Sequence, residues 1–170
     1  MVHWLQDVCQ KIPIGYANIL IYATLVGLRS TEACQSISLI QTDLGKYLNK
    51  HLMILEHLLY PDIFIRNSKK AFVSIVNEDI ISCAKNANNC GYNALRNFLK
   101  KRNLDMQMSY CRKIFGAYLR MQGVESETID LLQGRIPKSV FARHYFRPDF
   151  DEQCRKIRLK LTALRRVIQA

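Results

Sequence analysis

Arg29, Arg112 and Arg135 stand far apart in a chain of 170 residues, and Tyr145 follows the last of them closely. Three guanidinium groups and a phenol are the parts needed to attack a phosphodiester. The phosphate charge repels nucleophiles, and a planar guanidinium answers it by binding two non-bridging oxygens without ever losing its own charge. That grip tightens as charge builds on those oxygens, so it favours the transition state over the ground state. The departing sugar oxygen needs a proton, which a lysine can supply. A tyrosine nucleophile keeps the bond energy in its phosphate ester, so a strand can be resealed without ATP. Such a set suggests the cutting and rejoining of DNA.

The elements that must position these groups read as mainly α with a small β-hairpin or sheet, an α+β arrangement in one domain over residues 1–170. Residues 14–28 carry Ile19, Leu20, Ala23, Val26 and Gly27 at helical spacing. Ser30 or Thr31 then caps a second helix with Glu32 in its first turn, which puts Arg29 at the joint between two helices. Leu48, Leu52, Leu55 and Leu59 recur like a helical stripe over 44–60, and Pro61 ends it. Ile63-Phe64-Ile65 and Ala71-Phe72-Val73-Ser74-Ile75-Val76 flank the polar stretch Arg66-Asn67-Ser68-Lys69-Lys70 and read as a hairpin, the one place where two strands are expected. Helices follow at 78–87, 92–101, 108–122 (closed by Gly123) and 126–133 (closed by Gly134). Pro137 opens the helix that carries Tyr145, and Pro148 separates it from a last helix over 150–168.

Bulk properties narrow the partners. One domain of this length can bury a real core. Twenty-five Lys and Arg against fourteen Asp and Glu give a net charge of +11, a surplus that attracts polyanions, nucleic acid foremost. No apolar run is long enough to span a membrane, and no secretory leader is visible, so a cytoplasmic, nucleoid-associated protein is expected. The six cysteines are scattered and the four histidines lack zinc-ligand spacing. Reduced, core-filling thiols and no metal are the expectation.

Gly27-Leu28-Arg29-Ser30-Thr31-Glu32-Ala33 resembles the first arginine box of tyrosine recombinases, the phage integrase family. Tyr110-Cys111-Arg112-Lys113 resembles the second, and Leu132-Gln133-Gly134-Arg135 the box that follows it. His144-Tyr145 stands where that family keeps its nucleophile. The Q-G-R-x-P segment, Gln133 to Pro137, together with the closing His144-Tyr145, is most similar to the archaeal fusellovirus-type integrases. The likeness spans nearly the whole chain and implies the catalytic-core fold of DNA breaking-rejoining enzymes, acting for an archaeal virus or plasmid in an archaeal or prokaryotic host.

The resemblance also implies roles. Arg29 and Arg112 would clamp the scissile phosphate. Arg135 holds a place that many relatives give to histidine or tryptophan. Lys69 matches the minor-groove lysine that protonates the leaving 5′ oxygen, with Lys70 beside it as the alternative match. Tyr145 would form the 3′-phosphotyrosyl link, and His144 would support it. The wider family has H-x-x-R at the second box, whereas this chain has Ser109 in the first position. A hydroxyl binds phosphate but cannot hold a proton near neutrality as imidazole does, which leaves the general base open and makes Ser109 a secondary candidate.

The implied enzyme is a site-specific recombinase with no cofactor. It acts on double-stranded DNA as a homotetramer on paired sites and is monomeric when free. An N-terminal core-binding domain is expected to be absent. Residues 148–170 form a tail helix whose stripe of Ile157, Leu161, Leu164 and Ile168 would pack on its own core or on a neighbouring protomer. Three alternatives remain open: a catalytically impaired DNA-binding regulator, a type IB topoisomerase-like nicking-closing enzyme, and a basic protein-interaction domain.

Overall fold

In the computed structural model, residues 2–66, 69–104, 107–135 and 150–169 are described. Helix α2 (Ile14–Val26) is apolar around its whole circumference, and every residue from Ala17 to Val26 is buried. A helix without a polar face belongs at the centre of a fold, and α2 packs against α1 (Val2–Gln10), α3 (Ser30–Tyr47), α5 (Glu78–Lys85), α7 (Ser109–Met121) and the final helix α9 (Phe150–Gln169). Helices α4 (Pro61–Phe64), α6 (Tyr92–Lys101) and α8 (Ser126–Leu132) complete the helical set among the described residues. The molecule is mainly α with small antiparallel sheets, as expected.

The sheets are built differently from the expected hairpin. Strands β1 (Leu48–Asn49), β2 (Ile54–Glu56) and β5 (Val73–Ile75) form a three-stranded antiparallel sheet in the order β1-β2-β5. A separate two-stranded ribbon pairs β3 (Ile65–Arg66) with β4 (Lys69–Lys70), with Arg66 opposite Lys69. Lys69 and Lys70 are therefore strand residues, not turn residues. Pro61 opens α4 at its first turn, where the missing N–H costs nothing, and Phe64 ends that helix instead of lying in a strand.

The helix expected over 44–60 is corrected. Helix α3 bends at Asp43, which has non-helical backbone, and ends at Tyr47. The leucine stripe then splits between environments: Leu48 and Leu55 are buried cross-strand partners, while Leu59 is exposed on a 3₁₀ turn. Met53, with a φ of 52°, makes the reversal between β1 and β2 that the leucine spacing conceals. The first helix, α1, was not expected either. It packs on α2 and α9 through Leu5 and Val8.

The tail helix α9 buries Cys154, Ile157, Leu161, Leu164 and Ile168 against α1, α2, α7 and β5 of its own chain. Arg158 donates to the Leu52 carbonyl at 2.6 Å and Lys160 to the Gln122 carbonyl at 2.8 Å, which fastens both flanks of the helix. All six cysteines are free, and Cys34, Cys83, Cys111 and Cys154 are buried.

Candidate active site

Helix α2 stops at Gly27, whose φ of 66° is left-handed and whose N–H bonds back to the Ala23 carbonyl. Glycine is required there twice over. A side chain resists that φ, and a Cβ would lie 2.4 Å from the Phe115 ring of α7. The close approach brings Arg112 of α7 under the turn, where its Nη1 donates to the Gly27 carbonyl at 3.0 Å. Its Nη2 donates to the Gln133 carbonyl at the end of α8. The buried Gln133 answers through its Nε2, which donates to the Arg112 carbonyl at 3.0 Å.

Two residues after Gly27 comes Arg29. The capping residue of α3 is Arg29 itself, not Ser30 or Thr31: its backbone N–H donates to Glu32 Oε2 at 3.1 Å, and its Nη1 donates to Glu32 Oε1 at 3.0 Å. The same Nη1 donates to the Lys70 carbonyl at 3.0 Å. Glu32 has no exposed surface and also accepts from Arg66 Nη2 of β3 at 2.9 Å. One carboxylate thus holds two guanidiniums and ties the start of α3 to the ribbon that bears Lys69.

The ribbon is held from its other side by Gly134. This residue has a φ of 64°, and a Cβ on it would sit 1.6 Å from the Lys70 carbonyl oxygen. Only glycine lets the end of α8 come this close to the ribbon backbone. Arg135 follows directly, paired with Asp130 at 2.9 Å and largely exposed.

These contacts bring Arg29, Arg112, Arg135 and the Lys69-Lys70 strand to one place. Burial, then the neighbouring charges of Arg29 and Arg135, push the Arg112 guanidinium down to about 10, against the opposing pull of Glu32 and Asp130. It remains a cation at neutral pH. The surplus of positive charge left after Glu32 and Asp130 is what an anion would neutralise. Arg112 and Arg135 line a groove of about 640 Å³ with Asp130, Gln133 and Ser109. On the other side of Ser109 a second cavity, about 730 Å³, is lined by Ser30, Arg96, Lys100, Gln107 and Ser109. Ser109 is exposed at the junction of the two, one helical turn before Arg112.

Tyr145 and His144 lie outside the described residues, as does the expected helix opened by Pro137. Sequence reasoning named Glu32 only as a first-turn acid and did not assign site roles to Arg66 or Gln133. The Glu32–Arg66 pair spans 34 positions, and no local pattern announces it. Among the described residues, no group of three or more His, Cys, Asp or Glu could hold a metal ion, and no helix is long and apolar enough to cross a membrane.

Among known families, the one described as archaeal phage integrase matches residues 36–150. That span contains Lys69, Ser109, Arg112, Arg135 and Tyr145, while Arg29 precedes it. No curated protein and no solved structure matches the chain.

Proposed function

Since the chain belongs to the archaeal phage integrase family, we propose that it is the catalytic domain of a site-specific tyrosine recombinase. It would cleave and rejoin double-stranded DNA through a 3′-phosphotyrosyl intermediate. The observation that carries this reading is the closeness of three arginines: Arg112 and Arg135 line one groove, and the charges of Arg29 and Arg135 both act on Arg112, with carbonyl and carboxylate partners holding each in place. Cations held in place beforehand cost no reorganisation when charge develops on a phosphate.

In this mechanism Arg29 and Arg112 bind the non-bridging oxygens, and Arg135 adds charge from the exposed side. Tyr145 attacks phosphorus as the P–O5′ bond breaks, and the leaving oxygen takes a proton from Lys69, with Lys70 as the alternative donor. Nearby cations lower the pKa of a phenol, which helps Tyr145 lose its proton although Ser109 replaces the family's histidine. A 5′ hydroxyl from a second duplex then reverses the ester. Exchange between two sites calls for four copies around DNA, assembled from monomers. The tail helix α9 is the candidate for exchange between them, although it packs its apolar stripe at home.

A suicide substrate tests the reading: a nicked duplex from which the cleaved fragment diffuses away, traps the enzyme on the 3′ end. A covalent adduct is expected in EDTA and without ATP. No adduct, combined with tight binding, would favour a second reading, a regulator that occupies sites without cutting them. The observation on its side is Ser109, an exposed hydroxyl where the family carries imidazole. Relaxation of supercoils by the monomer, without a partner site, would favour a nicking-closing enzyme instead.

A further inference from the structure

A buried chain of polar groups runs beneath the site, and the phosphate chemistry described above makes no use of it. Tyr22 Oη lies 2.5 Å from Ser36 Oγ, which lies 2.9 Å from Tyr47 Oη. Tyr47 Oη is 2.6 Å from His57 Nδ1, and His57 Nε2 is 2.8 Å from Ser74 Oγ. None of the five is more than 1% exposed. A core tolerates such groups only when their bonds are made, and apolar residues of similar volume would fill the same space at no electrostatic cost. What directional bonds add is a fixed geometry. Burial pushes the His57 imidazole down to about 3, so it is neutral, with one ring nitrogen donating and the other accepting.

The location of His57 shows which geometry is fixed. Its ring stacks on Phe64, with centroids 4.4 Å apart, and its backbone N–H donates to the Phe72 carbonyl at 3.1 Å. Its Nε2 reaches Ser74 on β5. Phe64 leads into the β3-β4 ribbon and Phe72 leads out of it, and the Ala71 N–H closes the base on the Phe64 carbonyl at 2.9 Å. One imidazole therefore grips both legs of the ribbon that bears Lys69. Through Tyr47, Ser36 and Tyr22 the same chain reaches α3 and α2, the two helices that meet at Arg29.

We propose that His57 is a positioning residue: through Tyr47 on one side and Ser74 on the other, it locks the Lys69 ribbon in register with the arginine pocket, so that the proton donor meets the leaving oxygen. The proposal rests on the reading of Lys69 as that donor, and it predicts a defect confined to leaving-group protonation. A loosened ribbon would still leave Arg112 in place, because its anchors are the Gly27 and Gln133 carbonyls and not the ribbon.

Two nicked duplexes separate that defect from a general one. One has the natural 5′-bridging oxygen at the cleaved linkage, and the other has sulfur there. With oxygen, the Tyr145 O–P bond forms, the P–O5′ bond breaks, and the electron pair left on oxygen accepts a proton. With sulfur, the P–S bond breaks and the pair stays on a thiolate, which is stable near neutrality and needs no donor. The readout is the single-turnover rate of adduct formation on each duplex. Lys69→Ala should fall on oxygen and recover on sulfur, whereas Arg112→Ala should fall on both. His57→Phe keeps a ring but cannot bridge. It should lose roughly 10²-fold on oxygen, as misplacement of a catalytic group by about an ångström does, and return close to the wild-type rate on sulfur. Ser74→Ala should move the same way by less, and it is judged by the same ratio if His57→Phe does not fold. Equal losses on both duplexes for the His57 and Ser74 variants, or no loss on either, would overturn the proposal while leaving the functional reading intact. A wild type that forms no adduct, or a Lys69→Ala protein that sulfur does not rescue, would overturn the reading of Lys69 and the proposal with it.

Discussion

Arg112 commits two of its donors to the carbonyls of Gly27 and Gln133, and this anchoring gives a guanidinium one orientation. Losing one such electrostatic donor typically costs about 10²–10³ in rate, so Arg112→Ala should be nearly inactive in adduct formation while DNA affinity falls far less. Glu32 acts one step removed, because it is fully buried and orients Arg29 and Arg66. Glu32→Ala should slow cleavage by about 10²-fold, the scale of a small misplacement, with DNA binding within a few-fold of normal in a titration. A Glu32→Ala protein with unchanged cleavage would remove that carboxylate from the pocket's support. At this scale the structure brings the three arginines near one another, and the glycines that precede two of them, Gly27 before Arg29 and Gly134 before Arg135, are local signals in the sequence. Glu32 was visible only as a helix-start acid, since its second partner, Arg66, comes from a distant strand.

Gly134 decides how the elements meet. Its left-handed φ and its contact with the Lys70 carbonyl leave no room for a methyl group, and the opposing atom is backbone, which cannot swing aside. Gly134→Ala should therefore displace the end of α8 from the ribbon. Melting should fall by about 2–4 °C for each kcal/mol lost in a chain of this size, and cleavage should drop more than binding does. An unchanged melting temperature and rate would show that α8 and the ribbon are not held through this contact. Of the helices that frame the site, α7 and α9 are readable from periodicity because each buries an apolar stripe, while α2 is readable from its apolar length and its closing Gly27. The segment from Leu44 to Tyr60 was misread for a specific reason. Leucines three and four apart imitate a helix, but here the backbone reverses at Met53 and sends Leu48 and Leu55 into paired strands. The hairpin expected from strands 63–65 and 71–76 is replaced by a shorter ribbon whose strands occupy the expected turn, while β5 pairs with β2 instead, a long-range choice that local alternation does not encode.

At the scale of the whole molecule, the charge of +11 should make DNA binding steeply dependent on salt, with log K falling by about 0.9 for each phosphate neutralised per unit of log salt. Anisotropy titrations at several salt concentrations measure that slope, and a flat line would contradict a DNA role. Stability should depend on acid through His57. Its folded pKa lies near 3, below the roughly 6.5 of the unfolded chain, so the unfolded state takes up a proton that the folded state refuses. That contribution is fully present above about pH 6.5 and declines by about 1.4 kcal/mol per pH unit as pH falls towards 3. Urea unfolding between pH 7 and pH 5 should show it, and His57→Gln should flatten that part of the profile. The most direct measurement of all is to digest the trapped protein–DNA adduct and identify the modified residue by mass spectrometry. A phosphotyrosine at Tyr145 is expected, and it should vanish in Tyr145→Phe. The ester on any other tyrosine, or its persistence after that substitution, would contradict a cage of Arg29, Arg112 and Arg135 built around Tyr145's attack.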